Sequence, residues 1–318
     1  MTRGSGKWNE ADIPDQSGRT VLVTGANSGL GLRTAEVLAA RGATVLLACR
    51  SAERGKRALE TVAAQAAAEP VLISLDLADL SSVRRAADDV RQRTGDGLDL
   101  LVNNAGLMAP PRETTADGFE LQFGTNHLGH AALTWLLMPA LRARSGARVV
   151  TVSSLAARAG SIDTADPNFT RRRYNPVAAY GQSKLANQMF ALELHRRLRA
   201  AGADVLSLGA HPGYTDTGLA GAMAQSQRNP VLRTVMNVGG KLGGLVLAQN
   251  TRMGTLPQLY AATAPELGGG EYVGPDGLGQ SRGHPTVLPP LPSATDAATA
   301  TALWDLTADL TGVTPDPG

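Results

Sequence analysis

The chain has 318 residues, and 30 Lys+Arg against 28 Asp+Glu leave a net charge of +2. That length can bury a full core, and the near balance gives no electrostatic reason to expect nucleic acid or an anionic membrane as partner. The single cysteine, Cys49, excludes an intramolecular disulfide and a cysteine-built zinc site, and it fits a reducing compartment.

The leading residues, 1–17, form a polar extension without the apolar stretch of a signal peptide, and no run nears 18 apolar residues. A soluble, cytoplasmic protein is expected. From residue 18 to 285 short β-branched runs alternate with alanine-rich helical stretches, the pattern of βαβ units around a parallel sheet. Strands are expected at 21–23, 44–48, 71–75, 98–102, 149–152 and 205–208, with a seventh at 271–273. Their apolar runs are continuous, as strands covered on both faces require. Helical spacing of apolar residues marks crossovers at 32–40, 81–93 and 128–141. The fold class is therefore α/β, a doubly wound Rossmann-type sheet in one domain.

Two stretches break the rhythm. Residues 156–177 part a strand from its helix by more than the usual few residues, so a surface insertion is expected. Residues 214–257 carry glycine pairs and methionines but no strand pattern; they read either as a cap over a substrate or as ordinary helices with loose loops. The tail, 286–318, contains one helical stretch at 294–310.

Directly after the first strand comes Thr24-Gly25-Ala26-Asn27-Ser28-Gly29-Leu30-Gly31, and a helix pattern begins at once. Glycines there let backbone N–H groups approach a pyrophosphate at the positive end of a helix. At the end of the second strand, where NAD users place a carboxylate for the ribose 2′-hydroxyl, this chain has Arg50, a cationic fork suited to a 2′-phosphate. NADP(H) is thus expected over NAD(H). Asp76 and Leu77 close the third strand, where the carboxylate serves an adenine amino group or caps a helix. Asn103, Asn104, Ala105 and Gly106 follow the fourth strand and line the same cleft.

Tyr180 and Lys184 stand four apart on one helix face, and Lys184 is one of four lysines beside 26 arginines. Transfer of hydride to or from a carbonyl carbon needs a proton moved at its oxygen. A phenol serves at neutral pH when a nearby ammonium lowers its pKa from about 10. Ser153 and Ser154 end the preceding strand, at the carboxyl edge where doubly wound sheets bind ligands; one can orient the substrate oxygen, or the pair can cap a loop. His127 and His130 share a face, but no third residue has metal-ligand spacing. Pro212, Gly213, Thr215 and Thr217 follow the sixth strand, with groups for a nicotinamide carboxamide.

Taken together and in this order, T-G-A-N-S-G-L-G, N-N-A-G, S-S, Y-x-x-x-K and P-G-Y-T-D-T resemble the short-chain dehydrogenase/reductase family over roughly residues 18–285. The segments L-L-A-C-R-S and Y-V-G-P-D-G are similar to its retinol dehydrogenase and protochlorophyllide reductase branch. Membrane-bound members of that branch carry an apolar N-terminal anchor, unlike the polar leader here. The resemblance implies Ser154, Tyr180 and Lys184 as a catalytic triad, with Asn126 holding a water near the lysine and Lys184 also binding the cofactor ribose. It implies an alcohol/carbonyl pair as small-molecule substrate and association of copies through helices 128–141 and 184–198. The 214–257 segment suggests a substrate with apolar bulk. The same residues could instead reduce an activated C=C bond, or hold NADP(H) in a non-catalytic sensor.

Overall fold

The computed structural model describes residues 7–215 and 249–317. Six parallel strands alternate with helices: β1 (Thr20–Thr24), β2 (Thr44–Cys49), β3 (Val71–Ser74), β4 (Leu100–Asn103), β5 (Ala147–Val152) and β6 (Val205–Ala210). Then β7 (Tyr272–Pro275) pairs parallel to β6, and β8 (Pro285–Leu288) closes the edge antiparallel to β7. The order is β3-β2-β1-β4-β5-β6-β7-β8, so chain direction across the sheet reverses between β1 and β4. Such a switch point opens a crevice at the carboxyl ends of the strands.

The strand runs are continuously apolar because both faces are buried. Along β1, Val21 and Val23 pack into one hydrophobic layer and Leu22 into the other. One layer is covered by α1 (Gly29–Ala40) and α2 (Ala52–Ala63), the other by α3 (Leu80–Thr94), α5 (Gly129–Arg142) and α6 (Pro176–Ala200). Between α4 (Leu121–Phe123) and α5, residues Gly124–Leu128 form a π-turn, closed by Gly129 N–H on the Gly124 carbonyl. Such one-residue expansions recur at functional sites.

Three expectations change. The sheet continues past residue 285 as β8, within the stretch assigned to the tail; an edge pair flanked by prolines lacks the buried apolar run that marked the other strands. Residues 156–177 are no mere surface insertion. Asp166, almost fully buried, accepts from Thr170 N and Oγ1 (both 2.7 Å) and from Arg171 and Arg172 N (both 3.1 Å). Buried Phe169 lies 3.8 Å under the Arg172 guanidinium. The segment ties to α6 through Gln182 Nε2 on the Pro167 carbonyl (2.8 Å). Finally, residues 251–257 of the expected cap begin α7 (Thr251–Thr263), which is buried against α1. The rest of that stretch, 216–248, lies outside the described residues.

The tail helix, α8 (Ala297–Thr311), sits on the faces of α5 and α6. Trp304 stacks on Phe190 of α6 at 5.6 Å and meets Trp135 of α5 at 4.9 Å, while Arg197 of α6 lies 4.6 Å over the Trp304 ring. The two helices expected to join copies of the chain are thus partly covered by its own α8. Among the described residues no helix is long and apolar enough to cross a membrane.

Candidate active site

The glycine turn is built by backbone conformation and close approach. Gly25 and Gly29 take positive φ (66° and 54°), a region that side-chain-bearing residues avoid. A Cβ on Gly31 would lie 2.4 Å from both the Gly25 carbonyl oxygen and Asn104 Nδ2. The β4 turn is held there by Asn104 Nδ2 donating to the Thr24 carbonyl (2.8 Å). The amides of Asn104 and Ala105 donate to Thr24 Oγ1 (2.9 and 3.0 Å).

These elements wall a cavity of about 540 Å³ at the switch point. Gly25 and residues 27–31 line one end, Arg50 the second-strand end, and Asp76 and Leu77 the third; Asn104, Ala105 and Gly106 form the floor. Asp76 is not a helix cap: that position belongs to Asp79, whose carboxylate accepts from Ser81 and Ser82 N. Asn103 does not reach the cleft, since it is fully buried and its amide donates to Thr134 Oγ1 on α5 (2.9 Å). Sequence reasoning missed Arg54, which lines the cavity with Arg50; the available signal was a second arginine one turn further, in the first turn of α2.

The helix carrying Tyr180 starts where Asn175 and Pro176 place it. Asn175 Oδ1 accepts from Val177 and Ala178 N (2.9 and 3.1 Å), and proline suits the first helical position. One turn in, Tyr180 is buried and its phenol bonds the Ser154 side chain. Lys184 Nζ donates to the Val152 carbonyl at the end of β5 (3.1 Å) and lies 5.9 Å from the Tyr180 ring centre. Ser153 and Ser154 divide their tasks: Ser153 Oγ donates to the Lys184 carbonyl (2.7 Å), whereas Ser154 Oγ meets the phenol and accepts from Ala156 N (3.2 Å).

Lys184 meets the wall of the cleft at Gly106. A Cβ there would lie 3.3 Å from Lys184 Nζ and 3.2 Å from Asn126 Oδ1, so glycine leaves the ammonium its place against the cavity floor. Asn126 is in the π-turn. Its Oδ1 accepts from Leu107 N (2.9 Å), and its Nδ2 donates to the Leu107 carbonyl and Ser183 Oγ (both 3.0 Å). His127 and His130 are buried hydrogen-bonding residues, and the described residues contain no cluster suited to a metal. Pro212 accepts at its carbonyl from Thr215 Oγ1 and Gln249 Nε2 (both 2.7 Å), and Gly213 takes φ 67°. Thr217 lies outside the described residues.

The electrostatics differ from expectation in one respect. Burial pushes the Tyr180 phenol up, opposed by the Ser154 hydrogen bond, and it pushes Lys184 down to about 8. Desolvation favours the neutral form of each group and outweighs the lowering of the phenol expected from the ammonium. At neutral pH the phenol keeps its proton and the lysine keeps its charge.

Residues 19–228 match the short chain dehydrogenase family. The chain belongs to that family. It is 40% identical over 310 residues to human retinol dehydrogenase 13, covering 96% of this chain and 87% of the relative. It is 41% identical over 319 residues to mouse polyprenol dehydrogenase, covering 98% and 89%. A crystal structure of a Mycobacterium paratuberculosis protein, 44% identical, superposes with a TM-score of 0.79 over 97% of this chain and 98% of that one. This short-chain dehydrogenase therefore sits in the retinol dehydrogenase-like branch, as its motifs anticipated, and is an oxidoreductase whose family uses NAD(H) or NADP(H). The cavity fits such a dinucleotide: two positive-φ glycines and the clearances at Gly31 and Gly106 keep side chains out of a cradle ending on a helix N-terminus.

Proposed function

We propose that this short-chain dehydrogenase interconverts an alcohol and a ketone or aldehyde with NADP(H), using Ser154, Tyr180 and Lys184. The observation that carries the reading is the junction at Gly106, where the wall of the glycine cleft meets the ammonium of Lys184. The backbone of residues 27–31 would hold the pyrophosphate, and Asp76 the adenine. Arg50 and Arg54 together would hold a 2′-phosphate, two guanidinium forks where NAD users have a carboxylate. The nicotinamide supplies or accepts the hydride.

In reduction, Ser154 Oγ–H donates to the carbonyl oxygen and Tyr180 gives that oxygen its phenolic proton as the carbon is reduced. The protonated phenol favoured by burial is the form this direction needs. Lys184, still charged at neutral pH, stabilises the phenolate left behind, and in oxidation the same phenolate removes the alcohol proton. The relatives' names, retinol and polyprenol dehydrogenase, support a substrate with a long apolar body. Because α8 of the same chain covers α5 and α6, we read the working unit as needing no second copy at that face.

The test is loss of NADPH absorbance against a panel of ketones and aldehydes, with product analysis to separate C=O from C=C reduction. Wild type should turn over carbonyls and Tyr180→Phe should lose at least 100-fold in kcat with bound NADPH unchanged. Equal rates in the two would remove the assigned chemistry.

A further inference from the structure

The loop after β4 walls the cofactor cavity through Met108 and Pro110. Ala109, between them, is buried and takes φ 48°, a left-handed conformation that residues with a side chain avoid. Local preference does not select that conformation, so a contact from elsewhere in the fold must hold it.

That contact is Gln122. Its side chain is fully buried on α4, one turn before Asn126, and its Oε1 accepts from Ala109 N (2.7 Å). Both hydrogens of its Nε2 are used elsewhere. One goes to the Pro176 carbonyl (2.9 Å) and one to Tyr174 Oη (3.1 Å), whose own proton goes to Glu120 Oε1 (3.1 Å). The partners settle which end of the amide is which, since a backbone N–H needs an acceptor and a carbonyl needs a donor.

Pro176 is the first residue of α6, so its carbonyl is also the acceptor for the amide of Tyr180, four residues on. One carboxamide therefore spans the loop that walls the cofactor cavity and the first turn of the helix that presents the Tyr180 phenol. Its two ends differ chemically, an acceptor toward the wall and a donor toward the helix, and glutamine supplies both without a charge.

We propose that Gln122 is a positioning residue for the hydride-transfer site: its oxygen holds the cofactor wall at Ala109, and its nitrogen holds the start of α6 and with it the phenol of Tyr180. The assignment rests on the carbonyl reaction proposed above and adds to it a residue outside the cavity lining.

The test reads the NADPH Kd by fluorescence titration and kcat on a ketone that wild type reduces. Gln122→Met keeps the bulk and loses both ends, so Kd should rise and kcat fall, each by about tenfold, the scale of a lost buried hydrogen bond. Adding Ala109→Gly, which accepts the same φ without steric cost, should bring Kd back to within about threefold of wild type and leave kcat low. Gln122→Glu at about pH 9, where the new carboxyl is ionised, keeps the acceptor for Ala109 and lacks the donor for Pro176. Here kcat should fall about tenfold while Kd moves by less than about threefold, and this variant carries the test should Gln122→Met fail to fold.

Kd and kcat within about twofold of wild type in these variants would overturn the proposal, being less than one hydrogen bond is worth. So would equal recovery of kcat and Kd on adding Ala109→Gly, the mark of a general repair of stability. Wild type that binds NADPH but reduces no carbonyl would sink the reaction proposed above. The Kd measurement needs no turnover and would then decide on Gln122 alone: a rise in Gln122→Met restored by Ala109→Gly supports it, and an unmoved Kd overturns it.

Discussion

His130 Nε2 lies 2.9 Å from Thr24 Oγ1, and the other ring nitrogen lies 2.9 Å from the Asn126 carbonyl. A carbonyl only accepts, so Nδ1 carries the proton; burial keeps the ring neutral, pushing it down to about 3, and Nε2 must accept from the Thr24 hydroxyl. Thr24 Oγ1 in turn accepts from the amides of Asn104 and Ala105. One imidazole thus joins the end of β1, the turn after β4 and the π-turn bearing Asn126.

His130→Phe keeps the bulk and breaks both bonds. Loss of two buried hydrogen bonds should cost about 1–3 kcal/mol in urea unfolding, since Thr24 Oγ1 keeps both amides and can turn its hydroxyl to the Val102 carbonyl (3.3 Å). Because the loosened β4 turn floors the cofactor cavity, KM for NADPH should rise about tenfold. His130→Gln, which can bond at one end, should recover part of both effects. An unchanged KM beside a full loss of stability would limit the imidazole to packing.

Lys184 makes the protein less stable near neutrality than it could be. Its folded pKa of about 8 lies below the unchanged 10.5, so between those values the unfolded chain binds a proton that the folded one does not. Stability therefore rises with pH across that window, and below it the folded state bears the whole penalty, about 3 kcal/mol. Lys184→Met should accordingly be the more stable protein at pH 7, with the gap closing by pH 10.5. The Val152 carbonyl stays satisfied in the variant, because Asn187 Nδ2 also donates to it (3.1 Å). Urea curves at the two pH values read the effect directly.

Gly106→Ala places a methyl 3.3 Å from the ammonium and 3.2 Å from Asn126 Oδ1. Neither neighbour can retreat freely, since both are anchored by hydrogen bonds. We expect kcat to fall at least tenfold, with NADPH affinity, measured by fluorescence titration, changing less than the rate. A fall in affinity equal to the fall in rate would place the damage in cofactor binding instead.

For Arg50→Ala, KM for NADPH should rise 10- to 100-fold, the scale of about 1.5–3 kcal/mol for a hydrogen bond to a charged group, while KM for NADH stays within about threefold. Arg54→Ala should act in the same direction by less, because Arg50 lies directly at the end of β2. Equal effects on the two cofactors would show that neither guanidinium meets the 2′ position.

Much of this architecture could be read from residues because the central strands are buried on both faces, which forces uninterrupted runs such as Val21–Leu22–Val23. The glycine turn was legible for a related reason: positive φ and sub-van-der-Waals clearance leave few choices but glycine. The edge strand β8 escaped, since half-exposed Thr286 and Val287 between prolines carry no two-faced pattern. The π-turn escaped because one extra residue in a helix barely disturbs apolar spacing. The direction of the Tyr180 shift was beyond sequence altogether: it depends on how completely the phenol is desolvated, which no spacing of Tyr and Lys reports.

The cover that α8 lays over α6 has a consequence for biosynthesis. Phe190 and Trp135 are made more than a hundred residues before Trp304 reaches them. On the ribosome, the nascent polypeptide must therefore carry an uncapped aromatic face until translation has passed Thr311, an interval in which a chaperone would find its natural binding target.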